Sequence, residues 1–101
     1  MIRHIVMFKL KDGVNGKTAM ENAMEAQREA EKLKELIPSI EKMEVVCNSQ
    51  KADKSNCELA LICDFKDIDG LNTYQQHPEH LKFGSLIGQW KESRACIDYE
   101  Y

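Results

Sequence analysis

Ile2-Arg3-His4-Ile5-Val6-Met7-Phe8-Lys9-Leu10 alternates with a period of two. Ile2, His4, Val6, Phe8 and Leu10 form the more apolar set, against Arg3, Ile5, Met7 and Lys9. This alternation predicts a β-strand whose apolar set meets a core. Lys11-Asp12-Gly13 then turns the chain, and Thr18 with Glu21 has the spacing of a capping box. Met20, Ala23, Met24, Ala30, Leu33 and Ile37 fall on one stripe of an amphipathic helix, which Pro38 ends. A second strand is expected over 43–48, a polar hairpin loop over 49–56 and a third strand over 57–65. Asp67 is placed to cap a short helix through Tyr74, and Pro78 suits the first position of a helical segment running toward Ile87. The last strand covers 93–101, with Ala95, Ile97, Tyr99 and Tyr101 on one side. The order is β-α-β-β-α-β, an α+β chain with the ferredoxin-like arrangement of a four-stranded antiparallel sheet and helices on one face. Residues 1–101 are read as a single domain.

If helices cover one face only, the other should be polar unless something else covers it. Ile5, Met7, Val46, Ala60, Ile62 and Cys96 are assigned to that second face, with Arg3, Lys9, Glu58, Asp64 and Arg94 nearer the strand ends. An apolar centre inside a charged rim has the composition of an interface. The expected partner is a second copy of the chain, joined sheet to sheet about a two-fold axis.

The 101 residues carry 43% apolar and 31% charged side chains, which places the chain outside the disordered class. No apolar run approaches the ~20 residues of a membrane span, and the first residues lack a secretory pattern. The expected location is cytoplasmic. A net charge of −3, with Lys and Arg interleaved with Glu along the first helix, leaves no basic stripe for nucleic acid. Cys47, Cys57, Cys63 and Cys96 form no C-x-x-C pair and read as reduced core residues.

The chemistry concentrates in Tyr74-Gln75-Gln76-His77-Pro78-Glu79-His80, a phenol and two imidazoles within seven residues. His80 titrates near neutrality, as a proton acceptor from an acidic carbon requires; its structural alternative is a surface histidine ordering the helix start. Tyr74 offers a phenol to a carbonyl or enolate oxygen, or else packs as a core tyrosine. His4, in the more apolar set of the first strand, is read first as a structural histidine bonded to a backbone group and second as a pocket histidine facing His80. His77 precedes Pro78 and caps the second helix. Phe83 and Trp90 close the core, and Met20 and Met24 line the core or a pocket. Two histidines three residues apart without a third ligand make a weak metal site, so neither a metal nor a cofactor is expected, and only a divalent cation at the dimer seam is left open.

The opening strand, the Ile37-Pro38 helix end, Tyr74-x-x-His77-Pro-x-His80 and the closing Ile97-Asp98-Tyr99 together resemble the stress-responsive dimeric A/B barrel (Dabb) family over essentially the whole chain. The resemblance implies a ferredoxin-like protomer in a homodimeric α+β barrel. Most members have no assigned activity. One plant member, olivetolic acid cyclase, closes and aromatises a polyketide without a cofactor. By similarity its catalytic pair falls on Tyr74 and His80, and a further pocket histidine on His4. The third strand departs from that enzyme: Glu58-Leu59-Ala60-Leu61 carries no histidine. The implied function is a stress-responsive barrel protein binding a small hydrophobic or carbonyl compound near His4, Met24, Tyr74, His80 and Phe83. The alternatives are a cofactor-independent acid–base cyclase, isomerase or lyase using His80 and Tyr74, and a purely structural stress protein.

Overall fold

A computed structural model describes all 101 residues. The strands are β1 (Ile2–Leu10), β2 (Lys42–Cys47), β3 (Leu59–Phe65) and β4 (Lys91–Glu100), and the α-helices are α1 (Ala19–Glu31), α2 (Leu33–Leu36), α3 (Ile68–Gln76) and α4 (Pro78–Trp90). The sheet order is β2-β3-β1-β4, antiparallel throughout, so the fold is ferredoxin-like. β1 is central, and its even-numbered residues from Ile2 to Leu10 are all buried against the helices.

Local chemistry sets the helix limits. The Thr18 hydroxyl accepts from the Glu21 N–H at 3.1 Å, while the Glu21 carboxylate accepts from the Thr18 N–H at 2.9 Å. Asp67 accepts from the Gly70 N–H at 2.9 Å and starts α3. His77 ends α3 and caps α4, its Nδ1 accepting from the Glu79 N–H at 3.1 Å, with Pro78 in the first turn. Because Pro78 fixes a helical φ and needs no donor partner, α4 starts only one residue after α3 stops. α4 continues to Trp90, past the expected Ile87, and β4 follows without a loop.

Several expectations are corrected. The first helix is broken at Lys32; Ala23, Ala30, Leu33 and Ile37 of the expected stripe are buried, whereas Met20 is only partly buried and Met24 is exposed, with Ala19 and Ala26 inward in their place. Small side chains let α1 approach the sheet closely, so Met24 is left 44% exposed at the edge. The third strand begins at Leu59, and Glu58 is buried rather than on a rim: its carboxylate accepts from the Leu10 N–H and binds Lys9 Nζ at 2.6 Å. Cys63 alone is a buried cysteine; Cys96 is exposed.

The largest correction concerns β4. Its register pairs Ile97 with Ile5 and Ala95 with Met7, whereas Asp98 faces His4 and Cys96 faces Val6. Opposed residues of an antiparallel pair share a face, so Ala95, Ile97 and Tyr99 lie on the open face and Arg94, Cys96 and Asp98 on the helix side. The helices pack on β1, β2 and β3 and leave β4 mostly exposed. A strand whose helix side is wet can carry charge there and apolar residues opposite. The open face therefore presents two apolar rows, Ile62-Ile5-Ile97 and Val46-Ala60-Met7-Ala95. At one end Arg3 makes a two-pronged ion pair with Asp64, at 2.8 and 3.0 Å.

Candidate functional site

The helix-side face of β1 meets α3 around Tyr74, with α4 packed on α3 and Arg94 of β4 at the side. This residue is 1% exposed, with its ring 5.1 Å from that of Phe65, 5.9 Å from His4 and 4.5 Å from His80 (centroid to centroid). The short α3–α4 junction is what brings Tyr74 and His80 together: one sits in the last turn of α3 and the other in the first turn of α4. A cavity of about 100 Å³ lies against these rings. His4, Tyr74, His80 and Phe83 line it, with Arg94 of β4 and the apolar Val6, Phe8, Leu61 and Ile87. Met24 is not among its walls; it borders a separate groove between α1 and the β2–β3 loop, with Lys9, Thr18 and Asn48.

Burial and hydrogen bonding bias the states of His80 and Tyr74. The His80 Nδ1 lies 3.1 Å from the Gln75 carbonyl oxygen, which can only accept, so Nδ1 carries the proton and Nε2 is the free base. Burial pushes the His80 pKa below the usual imidazole value of 6.5, a shift its hydrogen bond to Gln75 partly opposes. The Tyr74 phenol is pushed well above 10, first by burial and then by the neighbouring Cys63, and so stays a neutral donor. His4 is 2% exposed and its Nδ1 lies 2.5 Å from the Asp98 carboxylate. The expected backbone partner of His4 is thus replaced by a side chain. The carboxylate accepts from Nδ1–H, so in the neutral imidazole Nε2 carries the lone pair.

The direction of the His80 shift has a measurable consequence. Its folded pKa lies below its unfolded one, so the neutral form is the native one at pH 7. The stability this contributes is complete above about pH 6.5 and is lost as pH falls through the lower folded value. A histidine NMR titration is expected to give His80 a midpoint below 6.5. A midpoint at or above 6.5 contradicts the burial.

Of the residues expected there, His4, Tyr74, His80 and Phe83 line this cavity; Arg94 of the lining and Asp98, the partner of His4, are additions from the structure. The signal for both was the alternation of β4, Arg94, Cys96 and Asp98 being spaced by two, read with the wrong face inward. His77 stays outside the cavity as a helix cap.

The stress responsive A/B barrel domain model matches residues 2–101. No curated protein sequence matches the chain. Among solved structures, a dimeric protein of unknown function and ferredoxin-like fold from Bacteroides fragilis is 37% identical, with a TM-score of 0.82 over 99% of this chain and 95% of that one. A Dabb family protein of ferredoxin-like fold from Mesorhizobium loti is 25% identical, with a TM-score of 0.74 over 99% and 95%. A hydroxynitrile lyase from Passiflora edulis shares the fold at 14% identity, with a TM-score of 0.76 over 97% and 90%. No helix of the chain is long and apolar enough to cross a membrane. The match across residues 2–101, on a ferredoxin-like sheet with one apolar face left open, establishes that this chain belongs to the stress-responsive A/B barrel domain family.

Proposed function

We propose that two copies of this chain associate through their open sheet faces, and that each binds a small carbonyl-bearing or hydrophobic compound between His4, Tyr74, His80, Phe83 and Arg94. The observation that carries the reading is the convergence of a neutral phenol and two oriented imidazoles on one cavity. At about 100 Å³ the cavity is small, so the ligand is a compact compound such as a short-chain ketone or diketone. The apolar walls favour its carbon skeleton, and the Tyr74 hydroxyl and Arg94 guanidinium favour a carbonyl oxygen or an anion.

A second reading, acid–base catalysis without a cofactor, is favoured by the protonation states. His80 Nε2 is unprotonated at neutral pH and accepts a proton from carbon next to a carbonyl. The Tyr74 phenol donates a hydrogen bond to the enolate oxygen as charge develops there. Return of the proton to a different atom gives isomerisation, and attack of the enolate on a second carbonyl gives cyclisation.

Acetylacetone in D₂O tests both readings. Binding is expected to raise the melting temperature with ligand concentration, and catalysis to speed deuterium uptake at the central carbon, read by NMR. No rise in melting temperature with acetylacetone or with a panel of ketones of similar size removes the binding reading. A rise without faster exchange removes the catalytic one.

A further inference from the structure

We propose that His4, Cys96 and Asp98 form a binding site for a thiophilic divalent cation of the zinc class; of the three, only His4 also lines the cavity. Three chemically different donors converge there from two adjacent strands. Asp98 is the register partner of His4, and Cys96 lies two residues before it on the same face of β4. The His4 Nδ1, Cys96 Sγ and an Asp98 carboxylate oxygen all lie within 4.8 Å of one another. Their separations are 3.5 Å from nitrogen to sulfur, 3.9 Å from sulfur to oxygen and 2.5 Å from nitrogen to oxygen.

Tetrahedral zinc with bonds of about 2.0–2.3 Å sets its donors about 3.3–3.6 Å apart. The nitrogen–sulfur edge already has that length. The other two need the Asp98 carboxylate to move by less than about 1 Å, giving up its hydrogen bond to His4. Asp98 is 36% exposed and sits on the wet side of β4, so it has room to move, and the cation and a water in the fourth position reach the site from solvent. A neutral imidazole, a thiolate and a carboxylate carry two negative charges, which balance the divalent ion. The thiolate selects against magnesium and calcium.

Occupancy has a defined effect on the cavity. Without metal, Nδ1 holds the proton for Asp98 and Nε2 accepts. With metal on Nδ1, the neutral imidazole carries its proton on Nε2 and becomes a donor. The cation thus converts His4 from a hydrogen-bond acceptor to a donor at the proposed ligand site. This consequence rests on the binding reading above; the cation site itself does not.

Co²⁺ titration of untagged, thiol-reduced protein tests the site without any substrate. One equivalent per chain is expected to produce the thiolate-to-cobalt charge-transfer band in the near ultraviolet, bleached by Zn²⁺. Cys96→Ser is expected to abolish the band, and Asp98→Asn to weaken Co²⁺ binding about tenfold or more, the scale on which loss of a coordinating or supporting carboxylate acts. Each variant's melting curve in chelator establishes that it is folded. Long-range ¹H–¹⁵N spectra are expected to show His4 protonated on Nδ1 without Zn²⁺ and on Nε2 with it. No band in the folded wild type, or a band that survives Cys96→Ser, overturns the proposal.

Discussion

Ile97→Asp is expected to convert a dimer to a monomer while leaving each protomer folded. Ile97 is 60% exposed in the single chain and stands in the row Ile62-Ile5-Ile97, beside Met7 at 42% and Val46 at 41% exposed. Three β-branched side chains abreast across three strands, next to a second apolar row, make a contiguous patch of the kind that folded monomers rarely show to water. In a two-fold dimer the substitution appears twice, near the centre of the contact. An unpaired carboxylate buried in an interface costs roughly 2–5 kcal/mol, so two cost roughly 4–10 kcal/mol, or at least about a thousandfold in the dimer dissociation constant. Sedimentation velocity at micromolar concentration reads this directly, with circular dichroism to establish that the fold is kept. Leu81→Asp is the control: Leu81 is 56% exposed on α4, at the helix side, and its substitution is expected to leave the assembly intact. A wild-type protein that sediments as a monomer, or an Ile97→Asp dimer as tight as the wild type, removes the sheet-to-sheet association.

The same face shows which parts of the fold were legible in the sequence. β1 was readable in full because it is central: helices seal one side of it, and its alternation is the burial pattern itself. The α3–α4 junction was readable because Asp67, His77 and Pro78 each act locally, through caps and a fixed φ. β4 also alternates, but alternation establishes only that a strand has two faces and does not say which one turns inward. On an edge strand that no helix covers, the apolar set turned away from the helices, and Arg94, Cys96 and Asp98 came to the site unannounced. α1 is legible in its capping box and in the inward Ala23 and Ala30, and departs at Met20 and Met24. Its close packing runs through alanines, which contribute little to a hydropathy stripe, so the pattern does not separate the inward Ala19 and Ala26 from the larger methionines. His4, Tyr74 and His80 were legible as chemistry from residue type and spacing. Their convergence, and the carbonyl and carboxylate that fix their tautomers, depend on packing between elements distant in sequence.

Tyr74→Phe and His80→Ala separate the chemistry of the site from its architecture, and the expected sizes dictate those choices. Tyr74→Ala removes a ring held between Phe65, His4 and His80 and is expected to cost about 3–5 kcal/mol of stability, enough to obscure any functional effect. Tyr74→Phe keeps the ring and deletes only the hydroxyl, so its stability change is expected to stay within about 1–2 kcal/mol. If the phenol stabilises a developing enolate, that small change is accompanied by a fall of about 100- to 1000-fold in catalysed deuterium exchange of acetylacetone, the loss typical of one donor to an oxyanion. His80 packs against Tyr74 but is only partly buried, so His80→Ala is expected to cost less stability than loss of the tyrosine ring. Removing the proton acceptor is expected to reduce exchange by about 100- to 10,000-fold while the acetylacetone-dependent rise in melting temperature persists. The pattern across variants is what discriminates. If His80→Ala costs several kcal/mol of stability, the imidazole is structural. If Tyr74→Phe and His80→Ala both exchange at the wild-type rate and bind as well, neither side chain takes part in the chemistry, and the protein is at most a binder held together by its rings.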